Sequence, residues 1–215
     1  MAGDLRSIFA ALGLVPVDEQ MRGLLAYLEL LERWNATYNL TAVRDREAML
    51  VQHLADCLAV VSPLSRRLGS GRLLDVGSGG GLPGVVLAIM LPAVQVFCVD
   101  AVGKKAAFVQ QVAATLALPN LRGLHARVET LKEAAFELIT SRAFASLEDF
   151  TRMTRPLLAP GGAWLAMKGK RPDAEIAALP TDLHVFHVEQ LQVPGLDADR
   201  CLVWLQPVET MRSIP

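Results

Sequence analysis

Cysteine is scarce in this 215-residue chain: Cys57, Cys98 and Cys201 stand far apart, with no Cys-x-x-Cys pair. An odd, scattered set excludes a disulfide framework and reads as reduced thiols of a cytoplasmic protein. Histidine is also sparse. Of the four, His184 and His187 lie three apart in a stretch that alternates like a strand, which would turn them to opposite faces, so no metal site is expected. Neither sign of charge dominates. Twenty-one Lys and Arg against 22 Asp and Glu leave a net charge of -1, which excludes an evenly basic nucleic-acid coat but permits a local basic patch. Long uninterrupted apolar runs are missing too. No charge occurs from Val76 to Val99, yet five glycines, Pro83 and Pro92 break that stretch, so a buried helix followed by a buried strand is expected and no membrane partner. The N-terminal apolar run has Asp4 before it and Asp18-Glu19 after it, without a small-residue cleavage pattern, so it does not read as a signal peptide.

What is present is apolar substance. Residues of the AVILMFWYC set make up 52% of the chain, enough for one domain with an elaboration and a sizeable core. The first third reads as helical. Met21, Leu24, Leu25, Leu28 and Leu31 recur with a 3.6-residue period, and Asp45 is placed to cap a second helix with Met49, Leu50, Leu54, Leu58 and Val61 on one face. Between them RWNATYNLTAVRD is too polar and β-branched to continue either helix, and Ser62-Pro63 reads as a break into a linker reaching Gly71. From Arg72 short apolar runs alternate with helix-length segments, the pattern of βαβ units. Strands are expected near residues 73–76, 94–99, 121–125, 138–141, 163–167, 185–188 and 202–205, with a helix over 104–116. The first five suit a parallel sheet, and the last two an antiparallel edge. The expected organisation is an N-terminal helical extension over 1–70 packed on an α/β, Rossmann-like domain over 71–215.

The stretch LLDVGSGGGLPG places a glycine loop between the first strand and a helix opening near Pro83. That is where an α/β sheet binds a nucleotide-like ligand. Leu82 occupies the third glycine position of a GxGxxG fingerprint, which weakens a dinucleotide reading. Asp75-x-Gly77-x-Gly79-x-Gly81 resembles instead motif I of the S-adenosylmethionine (SAM) methyltransferases. Asp100 ends the second strand about 20 residues further on, where a carboxylate can accept ribose hydroxyls. After the third strand, Arg127-Val128-Glu129 offers an acidic residue and a backbone amide to an adenine edge, or simply a solvated helix-start charge.

Trp34-Asn35, Asn39-Leu40-Thr41, His53-x-x-Asp56, DVGSGGGLPG, Gly103-Lys104-Lys105, Arg127-Val128-Glu129, Ser141-Arg142-Ala143-Phe144-Ala145, Lys168-Gly169 and Val193-Pro194-Gly195 occur in that order. Together they resemble the RsmG (GidB) family of bacterial small-subunit rRNA guanine-N7 methyltransferases, over about Trp34 to Leu205. The resemblance implies a SAM-dependent fold with extra N-terminal helices and methylation at N7 of a guanine in the 530 loop of 16S rRNA; the expected partner is 16S rRNA, a 30S subunit or an assembly intermediate, and a monomer is expected. The resemblance also implies that Gly77, Leu82, Val128, Glu129 and Arg142 serve the cofactor, to which the loop and the strand end add Gly79 and Asp100, and that Arg127, Arg142, Lys168 and Arg200 lie near the RNA or the target base. Gln52, Cys57 and Cys201 depart from the family's usual residues.

Guanine N7 carries a lone pair and no proton, so its methylation needs no general base. Holding it about 3 to 3.5 Å from the methyl carbon can supply several kcal/mol of the barrier. Lys168 or an arginine is therefore assigned to orientation. N7 faces the major groove, which A-form RNA closes to side chains, so the target is expected in a loop or flipped out. Arg33, Arg44, Arg46, Lys104, Lys105, Lys170 and Arg171 join Arg142, Lys168 and Arg200 as candidates for phosphate contacts, against the plain reading of solvated charge. His53 and Asp56 read as a structural pair joining the helices to the ligand domain, and Trp34 and Tyr38 as core rather than base-stacking rings. The rival functions are a methyltransferase of a small molecule, a nucleotide-dependent dehydrogenase, and a SAM-responsive RNA-binding module without turnover.

Overall fold

The computed structural model describes residues 2–142 and 146–208, so Ala143-Phe144-Ala145 of the SRAFA motif lie outside the described residues. The strands are β1 (Gly71–Val76), β2 (Val94–Asp100), β3 (Leu121–His125), β4 (Phe136–Arg142), β5 (Leu158–Lys168), β6 (Leu183–Leu191) and β7 (Arg200–Pro207). They form one sheet in the order β3-β2-β1-β4-β5-β7-β6. The first five pair in parallel, and β7 runs antiparallel to both β5 and β6. Each expected strand lies within an observed one. The reversal is confined to β7, since β6, antiparallel to a reversed strand, points the same way as the parallel five.

Period-2 alternation divides the apolar side chains between two cores. Leu73 faces the first and Leu74 the second. The first core is covered by α1 (Ala2–Ala11), α2 (Asp18–Tyr38), α6 (Gly84–Met90) and α7 (Gly103–Thr115), and the second by α8 (Leu147–Thr154) and α9 (Asp173–Ala177). Burial on both faces is why the strands read as continuous apolar runs. The N-terminal helices share the first core with the sheet: Leu24, Leu28 and Leu31 belong to the same buried cluster as Val85 and Phe108.

The second helical stretch starts where Asp45 accepts a hydrogen bond from the Ala48 N–H, at 2.8 Å. It runs from α3 (Arg46–Met49) through a π-helical stretch, Leu50–Ala55, into α4 (Asp56–Leu58), and a turn leads to α5 (Val61–Arg67). By length and composition the run Arg46–Arg67 could cross a membrane, yet 72% of its most apolar window is buried inside the protein.

Three expectations need correction. The segment from Trp34 to Tyr38 continues α2, which stops only where Asn39 turns left-handed at φ 51° and its N–H returns to the Asn35 carbonyl. The segment from Ser62 to Arg67 is helical: Pro63 lies in the first turn of α5, where a backbone N–H has no helical partner to lose. A bulge after Val185 changes the parity of β6, so that His184 pairs with Gln206 and His187 with Trp204, two positions on one face of β7. The two histidines therefore share a face. Even so, no group of three or more His, Cys, Asp or Glu among the described residues could hold a metal ion.

Candidate active site

The glycine loop departs from the carboxyl end of β1. Gly77, Gly79 and Gly81 adopt φ of 68°, 58° and 84°, a region that side chains disfavour. A Cβ at Gly84 would collide with Cys98 Sγ and with the Asp75 carboxylate. Space there is needed because Asp75 Oδ2 accepts the Gly84 N–H at 2.8 Å. Asp100 fastens the other side: Oδ2 accepts the Gly79 N–H at 3.0 Å and Oδ1 the Val102 N–H at 2.8 Å, with Lys105 Nζ 3.8 Å away. From α2, Tyr27 donates its hydroxyl to the Gly80 carbonyl at 2.7 Å in a fully buried bond. The extension thus braces the ligand loop directly.

Two polar atoms of this cradle, Asp75 Oδ1 and Ser78 Oγ, are buried with no hydrogen-bond partner among the described residues. Buried polar atoms left in this way usually await a ligand or a water. Burial also pushes the Asp75 carboxyl up to about 7, against the opposing pull of the Gly84 N–H and of Arg142. The left-handed glycines bring backbone close to whatever lies above them, and the cradle fits a polar ligand carrying a ribose that Asp100 can hold.

Two cavities open around it and meet at Gly77. The smaller, about 230 Å³, is lined by Asp100, Arg127, Val128 and Glu129, among others. The larger, about 570 Å³, is lined by Leu40, Asp56, the loop from Gly77 to Gly80, Leu82, Arg142, Met167, Lys168, Gly169 and Arg200. So Arg142, Lys168 and Arg200 are brought together around one cavity. Arg127 is not. It follows β3, the outermost strand on its side, with β2 and β1 between it and β4, and faces the smaller cavity with Glu129. It is expected near the RNA or the target base, and its neighbours here are those of the smaller cavity.

Arg200 reaches the larger cavity because β7 is reversed, which puts its first residue at the rim where the parallel strands end, beside Lys168 paired with Cys201. Lys168 Nζ donates to both Glu175 oxygens, at 3.0 and 2.9 Å, and Glu175 also accepts the Leu147 N–H at 2.7 Å. Of the wider basic set, Lys170 lines a neighbouring groove of about 690 Å³. Arg46 is taken up by Glu29 and Glu32, and Arg171 by Asp173.

Asp56 ties the extension to the ligand domain, whereas His53 is bonded within the extension, so the expected pair is corrected to a single link. His53 Nε2 lies 2.8 Å from Thr41 Oγ1, and burial together with Arg142 lowers its pKa to about 4, so it is neutral at neutral pH. Asp56 accepts from Arg142 and Arg200. Trp34 packs against Phe108 with ring centroids 5.4 Å apart, while Tyr38 rests on Trp34 and is exposed. Sequence reasoning missed Tyr27 and Glu175. Tyr27 could have been found, since it stands one turn beyond Leu24 on the apolar stripe with a hydroxyl that burial obliges to bond. Glu175 carried no signal beyond being one acid among several.

A mostly parallel sheet with one reversed strand and a glycine loop after β1 defines the class: this is the fold of the SAM-dependent methyltransferases. Solved structures agree, among them a SAM-dependent methyltransferase from Aquifex aeolicus (TM-score 0.58, 17% identity, covering 75% of this chain and 93% of that one) and TrmN from Thermus thermophilus (TM-score 0.55, 22% identity, covering 71% and 48%). Residues 20–203 match the model of the GidB family, rRNA small subunit methyltransferase G, and the chain belongs to that family. Its relatives include the ribosomal RNA small subunit methyltransferase G of Leptothrix cholodnii, 62% identical over 199 residues (92% of this chain and 91% of the relative), and that of Acidovorax ebreus, 60% identical over 214 residues (95% and 94%).

Proposed function

We propose that this protein transfers a methyl group from SAM to N7 of a guanine in the 530 loop of 16S rRNA. The observation that carries the reading is the make-up of the larger cavity. Its rim has three cations, and the sole carboxylate among its lining residues, Asp56, is held by two arginines. A site with cations and no available base suits a nucleophile that has no proton to lose, as guanine N7 does, and suits a hydroxyl poorly. The names borne by the relatives support small-subunit rRNA as the substrate.

SAM supplies an electrophilic methyl group on a sulfonium. The residues that would hold it are Gly77, Gly79 and Leu82 of the loop, Asp100 at the ribose, Val128 and Glu129 at the adenine, and Arg142 at the larger cavity; Arg127 belongs on the adenine side. The protein's task is then to orient. Lys168, steadied by Glu175, sets the guanine with N7 toward the loop, and Arg200 stands beside it at the rim to receive the RNA. A cationic donor near the base would offset the positive charge that develops there poorly, so these groups act through alignment. The substrate places the chain in the cytoplasm, on free 16S rRNA, a 30S subunit or an assembly intermediate, acting as a monomer.

The test is transfer of labelled methyl from SAM to 16S RNA and 30S subunits from cells lacking the modification, with nucleoside analysis. Label in 7-methylguanosine is the expected result. SAM binding with no label in any RNA would overturn the substrate and bring forward a small-molecule acceptor.

A further inference from the structure

Asp56 is 1% exposed, and it lies where the π-helical stretch passes into α4. Irregular helical turns of this kind recur at functional sites because they re-aim side chains that a regular helix would direct elsewhere. Here the turn delivers one carboxylate to two arginines from distant parts of the sheet. Arg142, the last residue of β4, donates Nη1 to Asp56 Oδ2 at 3.1 Å and to the Gln52 carbonyl at 3.1 Å. Arg200, the first residue of β7, donates Nε to Asp56 Oδ1 at 2.8 Å and Nη1 to the Asp199 carbonyl at 2.8 Å. Strand β5 lies between those two strands, so no regular pairing brings the guanidinium groups together.

Burial is graded across the trio. The Asp56 side chain is 2% exposed, while those of Arg142 and Arg200 are 23% and 27% exposed. The carboxylate is the inner member and the cations form the outer surface, with a net charge of +1 toward the cavity. Among the described residues the Nη2 groups of both arginines have no protein partner. Two planar forks held by one anion, each with donors left over, make a preorganised receptor for an oxyanion. Arg200 also lines the neighbouring groove of about 690 Å³, so the pair stands where a polymer leaving the target cavity would pass.

The geometry points to Asp56 as a positioning residue for methyl transfer, one that holds Arg142 and Arg200 as a two-arginine clamp for a backbone phosphate of the RNA beside the target guanine. This rests on the function proposed above. Asp56 touches neither substrate nor cofactor; it acts through the arginines, and most strongly through Arg200, which has no other anionic partner among the described residues.

The experiment is a double-mutant cycle on the full chain with D56N, R200Q and D56N/R200Q, reading kcat and KM for unmodified 30S subunits and, separately, SAM affinity. Asp56→Asn is expected to raise KM for the RNA about tenfold or more with kcat changed much less, and R200Q to do the same. The double variant is expected to fall within about threefold of R200Q alone, a non-additivity that a merely structural role would not produce. Multiplicative losses would overturn the proposal, and so would a D56N enzyme with unchanged KM. Should D56N fail to fold, R200Q decides alone: its change lies at a partly exposed side chain, and wild-type KM there removes Arg200 from the clamp and overturns the proposal. A wild-type enzyme that labels no RNA would instead sink the proposed function, which keeps the two failures apart.

Discussion

Asp75 shows how much one side chain at the loop must reconcile. Its carboxyl is fully buried and bonded through one oxygen, and burial holds its pKa at about 7 where an unfolded chain would ionise near 3.8. Between those values the fold keeps a proton that the unfolded chain has lost, so stability falls as pH rises through the window and is flat above it. Asp75→Asn keeps an acceptor for the Gly84 N–H and removes the ionisation. Its stability relative to wild type should therefore increase from pH 5 to pH 8, by up to a few kcal/mol at about 1.4 kcal/mol per pKa unit, in urea melts at the two pH values. Gly84→Ala should act oppositely at every pH. Its methyl meets Cys98 Sγ and Asp75, and overpacking of this kind costs about 1–3 kcal/mol, with loss of SAM binding measurable by calorimetry. Lys168→Met should lower methyl transfer at least tenfold while SAM affinity stays within about twofold, since Lys168 lies on the acceptor side of the loop; an unchanged rate would remove it from the site. At this scale the sequence was most readable where glycine spelling constrains the backbone, as at Gly77, Gly79 and Gly81. It was least readable for Asp56 and Glu175, because the partner of a carboxylate is decided by chain segments up to 144 residues away.

Secondary-structure elements bring the second layer of support. The Tyr27 bond joins α2 to the glycine loop, and deleting the hydroxyl leaves a buried carbonyl unsatisfied. Tyr27→Phe is expected to lose about 1–3 kcal/mol of stability and to weaken SAM binding several-fold, with chemical denaturation and calorimetry as the two readouts. The π-helical stretch is held to the loop after α2 by the His53–Thr41 contact. His53 is neutral in the fold, with a pKa near 4 against 6.5 in the unfolded chain. Protonation of the unfolded chain therefore draws stability away as pH falls from about 6.5 toward 4, and the advantage of wild type over H53Q should shrink across that interval. Elements with a strong period were legible, as Met49, Leu50, Leu54, Leu58 and Val61 show, all of them buried. The π turn was not, because one extra residue in a single turn barely disturbs the apolar face that Leu50, Leu54 and Leu58 define. The helical end of α2 was missed for a related reason: Trp34 and Asn35 are poor helix formers individually, but Asn35 is buried and bonded to the Val43 carbonyl and the Thr41 N–H, and tertiary contacts outweigh propensity.

On the scale of the whole molecule, a net charge of -1 coexists with a cavity rimmed by three cations. On the proposed function, attraction to RNA is concentrated at that mouth and not spread over the surface. Raising salt from 50 to 200 mM should weaken binding of the RNA substrate by roughly tenfold, as expected for a few neutralised phosphates, and should leave SAM affinity nearly unchanged, which filter binding and calorimetry would separate. The order of strands was anticipated in kind, parallel with an antiparallel edge, because five apolar runs separated by helices leave few alternatives. Which strand was reversed depended on β7 slipping between β5 and β6, an arrangement fixed by pairing and invisible in either strand alone.

That reversal has a bearing on how such an enzyme changes over time. In a purely parallel sheet every loop at the reactive rim follows a strand and leads into a helix, so altering its length disturbs the packing of both. Because β7 runs backwards, the segment from Gln192 to Asp199 reaches the same rim as a connection between two strands, where Val193 and Leu196 pack it onto the first core and Gly195 lies against Val51 of the helical extension. A change of length in that segment therefore has to be absorbed by the helical extension at Val51 as well as by the two strands, so the acceptor side of the cavity alters only in step with the helices beside it.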